Sequence, residues 1–342
     1  MQVLVTGASG YIGSHIIVNL LDMGLEVIGM DNFSNSKPDT IMAIKKVACK
    51  NFKFYRGDIL DCELLDEIFS ANSIGAVIHL AGLKSVSESF LYSEKYHEVN
   101  VNGTKNIVSK MLHYNVSKLI FSSSATVYRP TDQSPIDEGF ELGPINPYGK
   151  TKLATEKLLI DEVAKRNSKK NSLKVILLRY FNPIGAHPSG LIGENPAGIP
   201  NNITPYINKV AAGILDVLPI FGDDYLTSDG TGERDYIHVD DLAAGHCAAL
   251  NYLCDKSLIG SLCQAINLGA GRPISVLELI NAFRTECEVT VPVKVVERRE
   301  GDSASCFADI SLAQELLNWK PQKSLKDMVV DSWRWQQNNQ IE

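Results

Sequence analysis

Tyrosine and lysine stand four residues apart at three places in the chain, and such a pair can transfer protons. The three pairs are Tyr114/Lys118, Tyr148/Lys152 and Tyr252/Lys256. A tyrosine with the ordinary pKa near ~10 is a poor base at neutral pH, but a nearby ammonium group favours the phenolate. A tyrosine tuned in this way accepts and donates a proton efficiently. The same spacing also occurs on ordinary solvated helix faces, so the surrounding sequence has to distinguish the three pairs.

The neighbouring residues favour Tyr148/Lys152. Three consecutive serines, 122–124, follow an apolar run that predicts a strand, and Pro147 suits the first turn of the next helix. In a parallel sheet, ligands lie beyond the carboxyl ends of the strands. Tyr148 and Lys152 would then share one face of that helix. We predict that Tyr148 transfers the proton, that Lys152 favours its phenolate, and that Ser124 donates a hydrogen bond to the substrate oxygen.

The other two pairs lie in less suitable places. Tyr114/Lys118 joins the end of a predicted helix to the start of a strand, which is the wrong edge of the sheet. Tyr252/Lys256 follows a helix predicted to end near Leu250, and no serine cluster precedes it. We therefore predict that neither pair is catalytic.

A glycine-rich segment, VTGASGYIG, places Gly7, Gly10 and Gly13 between the first predicted strand and the first predicted helix. Such glycines allow a tight turn and let the backbone approach a pyrophosphate, whose charge then faces the helix N-terminus. Asp31 ends the second predicted strand, where its carboxylate can accept hydrogen bonds from ribose hydroxyls and would repel a 2′-phosphate. Together these residues predict a site for NAD rather than NADP.

Short β-branched runs alternate with longer amphipathic segments, and they predict the elements that position these residues. Strands are predicted at 2–6, 26–31, 52–55, 76–80, 118–122 and 174–179, and a helix at 11–23. This alternation indicates βαβ units and a Rossmann-like, doubly wound parallel sheet that is covered on both faces. The NAD-binding domain is predicted to span residues 1–182.

The chain changes character after Asn182. Residues 183–205 are rich in Pro, Gly and Asn, as in a long loop, and a helical pattern follows to about residue 215. A helix-plus-strand unit is predicted at 235–250 and 265–268, and further helices are predicted at 309–317 and 325–337. We predict a smaller C-terminal α/β domain at 183–342, with the chain returning to the first domain around 236–270.

The bulk composition disfavours several classes of protein. The 342 residues carry a formal net charge of -7, with 44% hydrophobic and 21% charged residues, which is typical of a globular protein and unlike a nucleic-acid-binding one. The seven cysteines are scattered without a Cys-x-x-Cys pattern, so neither a disulfide framework nor a metal site is predicted. No signal peptide or membrane span is recognisable, and we expect a cytoplasmic protein without membrane or nucleic-acid partners.

A set of sequence strings makes the chain resemble the extended short-chain dehydrogenase/reductase family over nearly its whole length, and within it the nucleotide-sugar 4-epimerases. The strings are VTGASGYIGSH, GDI, AGLKSV, FSSSATVY, PYGKTK, RYFNPIGAHPSG, GIPNN, DGTGERDYIHVDDLA and RREGD. Those after residue 180 are the more specific ones. The resemblance implies a redox-neutral enzyme that holds NAD and interconverts UDP-glucose and UDP-galactose. It implies oxidation at C4 of the sugar, rotation of the 4-keto sugar and reduction from the other face.

The resemblance also implies roles for individual residues. The implied cofactor-binding residues are Gly7, Gly10, Tyr11, Ile12, Gly13, Asp31, Asn32, Asn35, Ser36, Asp58, Ile59, Leu80, Ala81, Gly82, Lys84, Asn100, Ser122, Tyr148, Lys152 and Tyr180. The implied substrate-binding residues are Ser124, Tyr148, Asn182, Asn202, Phe221, Arg234, Tyr236, Arg299, Asp302 and Cys306. The two arginines would pair with the diphosphate, since a guanidinium fork matches phosphate oxygens.

Cys306 bears on the breadth of substrates. Some relatives carry a bulky tyrosine at this position beside the hexose, and a cysteine leaves more volume. We hypothesise that the pocket also admits UDP-GlcNAc and UDP-GalNAc. Otherwise Cys306 is simply a small buried residue.

Two other functions remain open from the sequence. A nucleotide-sugar dehydratase or decarboxylase of the same superfamily would need further acid/base residues after Ser124, where Ala125 and Thr126 stand instead. A non-catalytic NAD-binding scaffold would not need both Tyr148 and Lys152. The resemblance further implies a homodimer formed through helices around 95–114 and 149–166.

Overall fold

The computed structural model describes residues 1–131, 133–166, 172–196, 200–299 and 301–339. Gly198 and Ile199 of the GIPNN string and Glu300 of the RREGD string lie outside these ranges. The strands are β1 (Gln2–Thr6), β2 (Glu26–Asp31), β3 (Lys53–Arg56), β4 (Ile74–His79), β5 (Lys118–Ser124), β6 (Lys174–Tyr180), β7 (Asn182–Ile184), β8 (Leu218–Phe221), β9 (Glu233–Arg234), β10 (Tyr236–His238), β11 (Leu262–Leu268), β12 (Ile274–Ser275), β13 (Val293–Val296) and β14 (Ser305–Cys306).

The helices alternate with these strands through the first half of the chain. They are α1 (Tyr11–Asp22), α2 (Asp39–Ala48), α3 (Cys62–Ser70), α4 (Val86–Leu91), α5 (Ser93–His97), α6 (Gly103–His113), α7 (Pro147–Ala164), α8 (Ile203–Ala211), α9 (Val239–Cys254), α10 (Val276–Glu286), α11 (Ser311–Leu317) and α12 (Leu325–Asn338). A π-helical turn, Glu98–Asn102, joins α5 to α6. A short 3-10 turn, Ala125–Val127, follows β5.

The main sheet has the strand order β11-β6-β5-β4-β1-β2-β3. All six of its strand pairs are parallel. The strands are apolar on both faces because helices cover both faces, as the sequence predicted. The prediction of a Rossmann-like, doubly wound sheet with a smaller C-terminal α/β part is confirmed. This topology brings the carboxyl ends of β1, β2, β4, β5 and β6 to one edge.

Two hydrophobic cores lie on opposite faces of this sheet. One packs residues of α1, α9 and α11 against the strands, including Ile16, Leu242 and Leu317. The other packs α3, α6 and α7, including Leu65 and Leu159. A third core gathers α8, α10 and α12 around the small strands of the second half. Elements after residue 182 therefore contribute to all three cores, and the domain limits stay a prediction.

The structure corrects the predicted element at 235–250. Its start is the strand Tyr236–His238, which pairs in parallel with Asn182–Ile184, and the helix begins only at Val239. The His238 side chain accepts a hydrogen bond from the backbone N–H of Asp240 and so caps the helix. The same helix continues past the predicted end near Leu250 to Cys254.

Two further differences lie in the second half. The helix expected to reach about residue 215 ends at Ala211, since Gly213 adopts a left-handed φ of 72° that terminates it. The helix Val276–Glu286 was not predicted. Ser275 caps this helix, because its hydroxyl accepts a hydrogen bond from the N–H of Glu278.

Candidate active site

A cleft of about 910 Å³ lies at the edge of the main sheet where the strands end. Every residue predicted to bind the cofactor lies in its wall except Asn100, and Ser124 lies there too. Of the other residues predicted for the substrate alone, Asn182 and Asn202 line the same cleft. The structure thus brings the predicted cofactor site and part of the predicted substrate site to the edge that the parallel topology predicts.

The glycine-rich loop forms a tight turn in which Gly7 has no room for a side chain. Gly7 has a left-handed φ of 69°, and a Cβ there would lie 2.9 Å from the backbone nitrogen of Ala81. The N–H of Gly10 donates to the carbonyl of Gly7 at 3.1 Å, and α1 begins at the next residue. The closely approached backbone and the helix N-terminus together form a cradle suited to a pyrophosphate.

Ser9 was missed by sequence reasoning. Its side chain is buried, it lines the cleft, and its hydroxyl has no hydrogen-bond partner among the residues that the structure describes. A buried hydroxyl without a partner costs free energy, so this atom fits a ligand group in the cleft. Its place between two glycines of the loop was a signal that could have found it.

Asp31 is fixed at the end of β2 by three hydrogen bonds. One carboxylate oxygen accepts from the N–H of Ser9 at 2.9 Å, and the other accepts from the N–H of Phe33 and the hydroxyl of Ser36, each at 2.9 Å. A carboxylate has about four acceptor positions. One position therefore remains for a ribose hydroxyl, and the residues present fit the NAD that the fold implies.

Helix α7, which carries Tyr148 and Lys152, begins where the sequence predicts. Asn146 caps α7 by accepting from the N–H of Gly149 at 2.7 Å, and Pro147 occupies the first turn. The ammonium of Lys152 donates a hydrogen bond to the carbonyl of Ser122 at 2.7 Å, and its Nζ lies 5.8 Å from the centre of the Tyr148 ring. Helix and strand thereby hold the tyrosine, the lysine and the serine segment together.

The pKa values of this pair respond mainly to burial. Burial raises the pKa of Tyr148 to about 12, and the hydrogen bond with Ser124 opposes this rise. Burial lowers the pKa of Lys152 to about 8, and the Glu156 carboxylate opposes this fall. Ser124 also accepts from Thr126, through its N–H at 3.2 Å and its hydroxyl at 3.0 Å, so its own hydrogen stays available for donation.

A buried charge network stands behind these residues and was not predicted. Glu156 is 1% exposed and receives two hydrogen bonds from Arg179, at 2.7 and 3.1 Å. The hydroxyl of Ser123 donates to the same carboxylate at 2.5 Å. Arg179 also donates to the Tyr128 hydroxyl at 3.0 Å. We call Ser123, Glu156 and Arg179 the clamp, since it ties α7 to β5 and β6.

The two other tyrosine–lysine pairs lie outside the cleft wall. Tyr114 ends α6, and Lys118 begins β5 at the opposite edge of the sheet. Tyr252 lies inside α9 and packs against the core on that face. The choice of Tyr148/Lys152 stays a prediction that this placement supports.

Asn100 does not reach the cleft wall. Its side chain is buried, accepts from the N–H of Leu83 at 2.8 Å, and donates to the carbonyl of Leu83 and the hydroxyl of Thr151, each at 3.0 Å. These bonds fasten the loop after β4 to α7. The geometry therefore gives Asn100 a role in shaping the cleft.

The remaining predicted substrate residues form a second group beside the cleft. The guanidinium of Arg299 lies 4.4 Å from the centre of the Phe221 ring and pairs with Asp302 at 3.1 Å. Arg234 pairs with the same aspartate at 3.4 Å.

Strand pairing connects this group to the cleft. Cys306 lies opposite Arg234 in register, and Tyr236 lies opposite Asn182, which lines the cleft. Burial raises the pKa of Tyr236 to about 12. Two arginines, an aromatic face and a carboxylate at this place suit an anionic nucleotide.

About three quarters of the chain matches a known family. A sequence model described as the NAD dependent epimerase/dehydratase family covers residues 3–258. The chain belongs to this family. The family prediction made from the sequence strings is confirmed.

Individual relatives agree along the full length. The chain is 49% identical over 339 residues to the UDP-glucose 4-epimerase of Bacillus subtilis (strain 168), covering 99% of this chain and 98% of the relative. It is 46% identical to that of Dictyostelium discoideum, covering 99% and 96%. A crystal structure of the Stenotrophomonas maltophila UDP-glucose-4-epimerase with bound NAD and formylated UDP-arabinopyranose has a TM-score of 0.95, 44% identity and 99% coverage of both chains. The Bifidobacterium longum enzyme in complex with NAD+ and UDP has a TM-score of 0.92, with the same identity and coverage.

The described ranges contain neither a candidate membrane span nor a candidate metal cluster. None of their helices is long and apolar enough to cross a membrane. Within the same ranges, no group of three or more His, Cys, Asp or Glu side chains is arranged to hold a metal ion.

Proposed function

We propose that the chain catalyses the NAD-dependent interconversion of UDP-glucose and UDP-galactose. The observation that carries this proposal is the convergence of Ser124, Tyr148 and Lys152 in one cleft wall with the glycine-rich loop and Asp31. Relatives named UDP-glucose 4-epimerase support it over the full length of the chain. NAD, when bound in the cleft, would oxidise the sugar at C4 and then reduce it again.

The chain's own residues supply the proton transfers. Tyr148 takes the proton of the 4-hydroxyl and later returns it to the same oxygen. Ser124 donates a hydrogen bond to that oxygen, which stabilises the 4-keto sugar as it forms. Lys152, held by the Ser122 carbonyl, places a positive charge near the phenolate.

The nucleotide has to stay bound while the sugar turns. Arg234, Arg299 and Asp302 form one charged group beside the cleft, and we assign the diphosphate to the arginines and the uridine ribose to Asp302. Phe221 offers a ring face for uracil, and Asn182 and Asn202 offer amides from the cleft wall. Remote binding energy of this kind can hold an intermediate whose reacting ring is loose.

The substrate range is proposed to include UDP-GlcNAc and UDP-GalNAc. Cys306 lies in β14 opposite Arg234, so a small side chain stands beside the proposed diphosphate site. A structural neighbour with 33% identity, a TM-score of 0.84 and nearly full coverage is described as the UDP-Glc/GlcNAc 4-epimerase of Campylobacter jejuni. Turnover of UDP-GlcNAc by the purified protein tests this range.

A homodimer and a cytoplasmic location are also part of the proposal. The run α5–α6 packs beside α7, and the outer side of α7 carries Ile160 with 47% exposure. Two such helices per subunit would form a four-helix contact across a twofold axis. Sedimentation of the purified chain measures the subunit number. The scattered cysteines suit a reducing compartment.

A coupled assay on UDP-glucose and UDP-galactose without added NAD tests the function. We expect turnover by the wild type and a loss of at least about 100-fold in Tyr148→Phe, with NAD still bound, since removing a positioned acid/base group costs about 10²–10⁴-fold. Tyr252→Phe, from a rejected pair, is the matched control and should keep its activity.

The assay separates the alternatives. A product of changed mass would indicate a dehydratase or decarboxylase, because epimerisation leaves the mass unchanged. Bound NAD without any turnover would indicate a non-catalytic scaffold. Unchanged turnover in Tyr148→Phe would contradict the proposed mechanism.

A further inference from the structure

Glu194 joins a predicted cofactor-binding residue to a predicted substrate-binding residue through one carboxylate oxygen. Its side chain is 9% exposed and lies in the cleft wall. Its Oε1 accepts from the ammonium of Lys84 at 3.0 Å and from the side-chain amide of Asn202 at 2.8 Å. Lys84 is predicted to bind the cofactor and Asn202 the substrate, so one acceptor holds a donor from each side.

The backbone that carries Glu194 is firmly held. Its carbonyl accepts from the indole N–H of Trp335 in α12 at 3.2 Å. The preceding residue, Gly193, forms a bridge with Ala186, and a Cβ at Gly193 would clash with the Trp335 ring. The carboxylate therefore projects from a fixed position, and the two donors are positioned by it.

The Asn202 side chain contacts Glu194 and does not cap the helix that follows it. Asn202 is the N-cap residue of α8, yet its side chain makes no capping hydrogen bond within the part of the chain that the structure describes. An asparagine at this position normally accepts from the helix, a contact typically worth about 1 kcal/mol. Here the amide donates to Glu194 instead. The Asn202 side chain is thus directed toward Glu194, and α8 has no side-chain cap from it.

We propose that Glu194 is a positioning residue that couples the cofactor end of the cleft to its substrate end. The inference rests on the proposed function, because that function assigns the ligands of Lys84 and Asn202. A ligand phosphate that attracts Lys84 changes how strongly Glu194 holds Asn202. By thermodynamic linkage, a substrate nucleotide that binds Asn202 then changes how strongly Glu194 binds Lys84.

Replacement of Glu194 by Gln tests this coupling with a readout other than turnover. The Kd of UDP is measured by calorimetry on NAD-containing protein, and retained NAD is measured after gel filtration. We expect Glu194→Gln to weaken UDP binding about tenfold and to lower NAD retention, because hydrogen bonds to an ionised acceptor are roughly twice as strong as neutral ones. Glu162→Gln is the matched control, since the Glu162 carboxylate also accepts from two side chains, Lys165 and Arg166, but lies outside the cleft wall.

A double-mutant cycle with Lys84→Met distinguishes coupling from a local structural effect. Lys84→Met should weaken UDP binding about threefold or more in the presence of Glu194, and should have no further effect in Glu194→Gln. Full additivity, or UDP binding by Lys84→Met within experimental error of the wild type, would overturn the coupling. The side chain of Lys84 is 50% exposed, so this variant should fold even where Glu194→Gln does not. A wild type that binds no UDP would overturn the proposed function itself.

Discussion

At the residue scale, Tyr148 depends on its neighbours for reactivity. Burial raises its pKa to about 12, and in the protein alone the opposing influence comes from the Ser124 hydroxyl. Lys152, which the sequence predicts to favour the phenolate, donates a hydrogen bond to the carbonyl of Ser122, and its Nζ lies 5.8 Å from the centre of the Tyr148 ring. The positive nicotinamide of bound NAD⁺ would favour the phenolate as well. The residue types were predictable from the sequence, whereas the direction of each hydrogen bond was not.

Cys306 gives the residue-scale prediction. We expect Cys306→Tyr to lose at least about 10-fold in kcat/KM on UDP-GlcNAc, because the family resemblance implies that this residue borders the hexose, and pockets reject excess bulk by about 10–200-fold. Activity on UDP-glucose should stay within about threefold. Parallel assays on both substrates measure the ratio, with Cys306→Ala as the small-residue control. Retention of acetamido-sugar activity in the tyrosine variant would show that the size argument is wrong.

At the element scale, the clamp joins the helix that carries Tyr148 to the strand that carries Ser124. Ser123 and Ser124 are adjacent, and Glu156 follows Lys152 by one helical turn. The strands and the glycine-rich loop were predictable because their patterns are local. The clamp was not, since Glu156 and Arg179 are 23 residues apart and meet only when β6 packs beside α7.

The clamp predicts a large effect on stability. We expect Glu156→Gln to lower the free energy of unfolding by about 3–5 kcal/mol, because it leaves the Arg179 charge buried without its counter-ion. The double variant Glu156→Gln/Arg179→Met should recover much of this loss. Denaturant unfolding followed by circular dichroism measures both.

The matched control for the clamp lies on the same helix. Glu162 pairs with Lys165 and Arg166 near the surface, so Glu162→Gln should cost no more than about 1 kcal/mol. Equal losses in Glu156→Gln and Glu162→Gln would contradict the role assigned to the buried pair.

At the scale of the whole molecule, the chain after residue 182 was the hardest part to predict. The strands β9, β12 and β14 have two residues each, too few to show a periodic pattern. Their pairing nevertheless places Arg234 opposite Cys306 and completes the second group of candidate substrate residues. The family strings nevertheless predicted these residues, because such strings are recognised from residue identity alone. The architecture could not be predicted in the same way, because it depends on contacts between distant segments.

Buried histidines make the stability of the whole fold sensitive to acid. Burial lowers the pKa of His15 and His79 to about 3 and that of His246 to about 4. The folded state therefore keeps all three neutral, while the unfolded chain takes up protons below about pH 6.5. The free energy of unfolding that these neutral histidines allow is therefore fully present above that pH and decreases as the pH falls below it. Each such histidine contributes about 1.4 kcal/mol of loss per pH unit.

Two buried acids partly offset this loss of stability in acid, and they therefore reduce the expected loss of free energy of unfolding per pH unit. Burial raises the pKa of Asp235 to about 6 and also raises that of Asp240, so both acids bind protons in the fold and stabilise it in acid. We expect a net loss of about 1–3 kcal/mol per pH unit between pH 5.5 and 4.5. Urea unfolding across this range measures it, and His79→Gln should reduce the slope by about 1.4 kcal/mol per pH unit. The exposed His113→Gln is the control, and equal slopes in His79→Gln and the wild type would contradict the assignment.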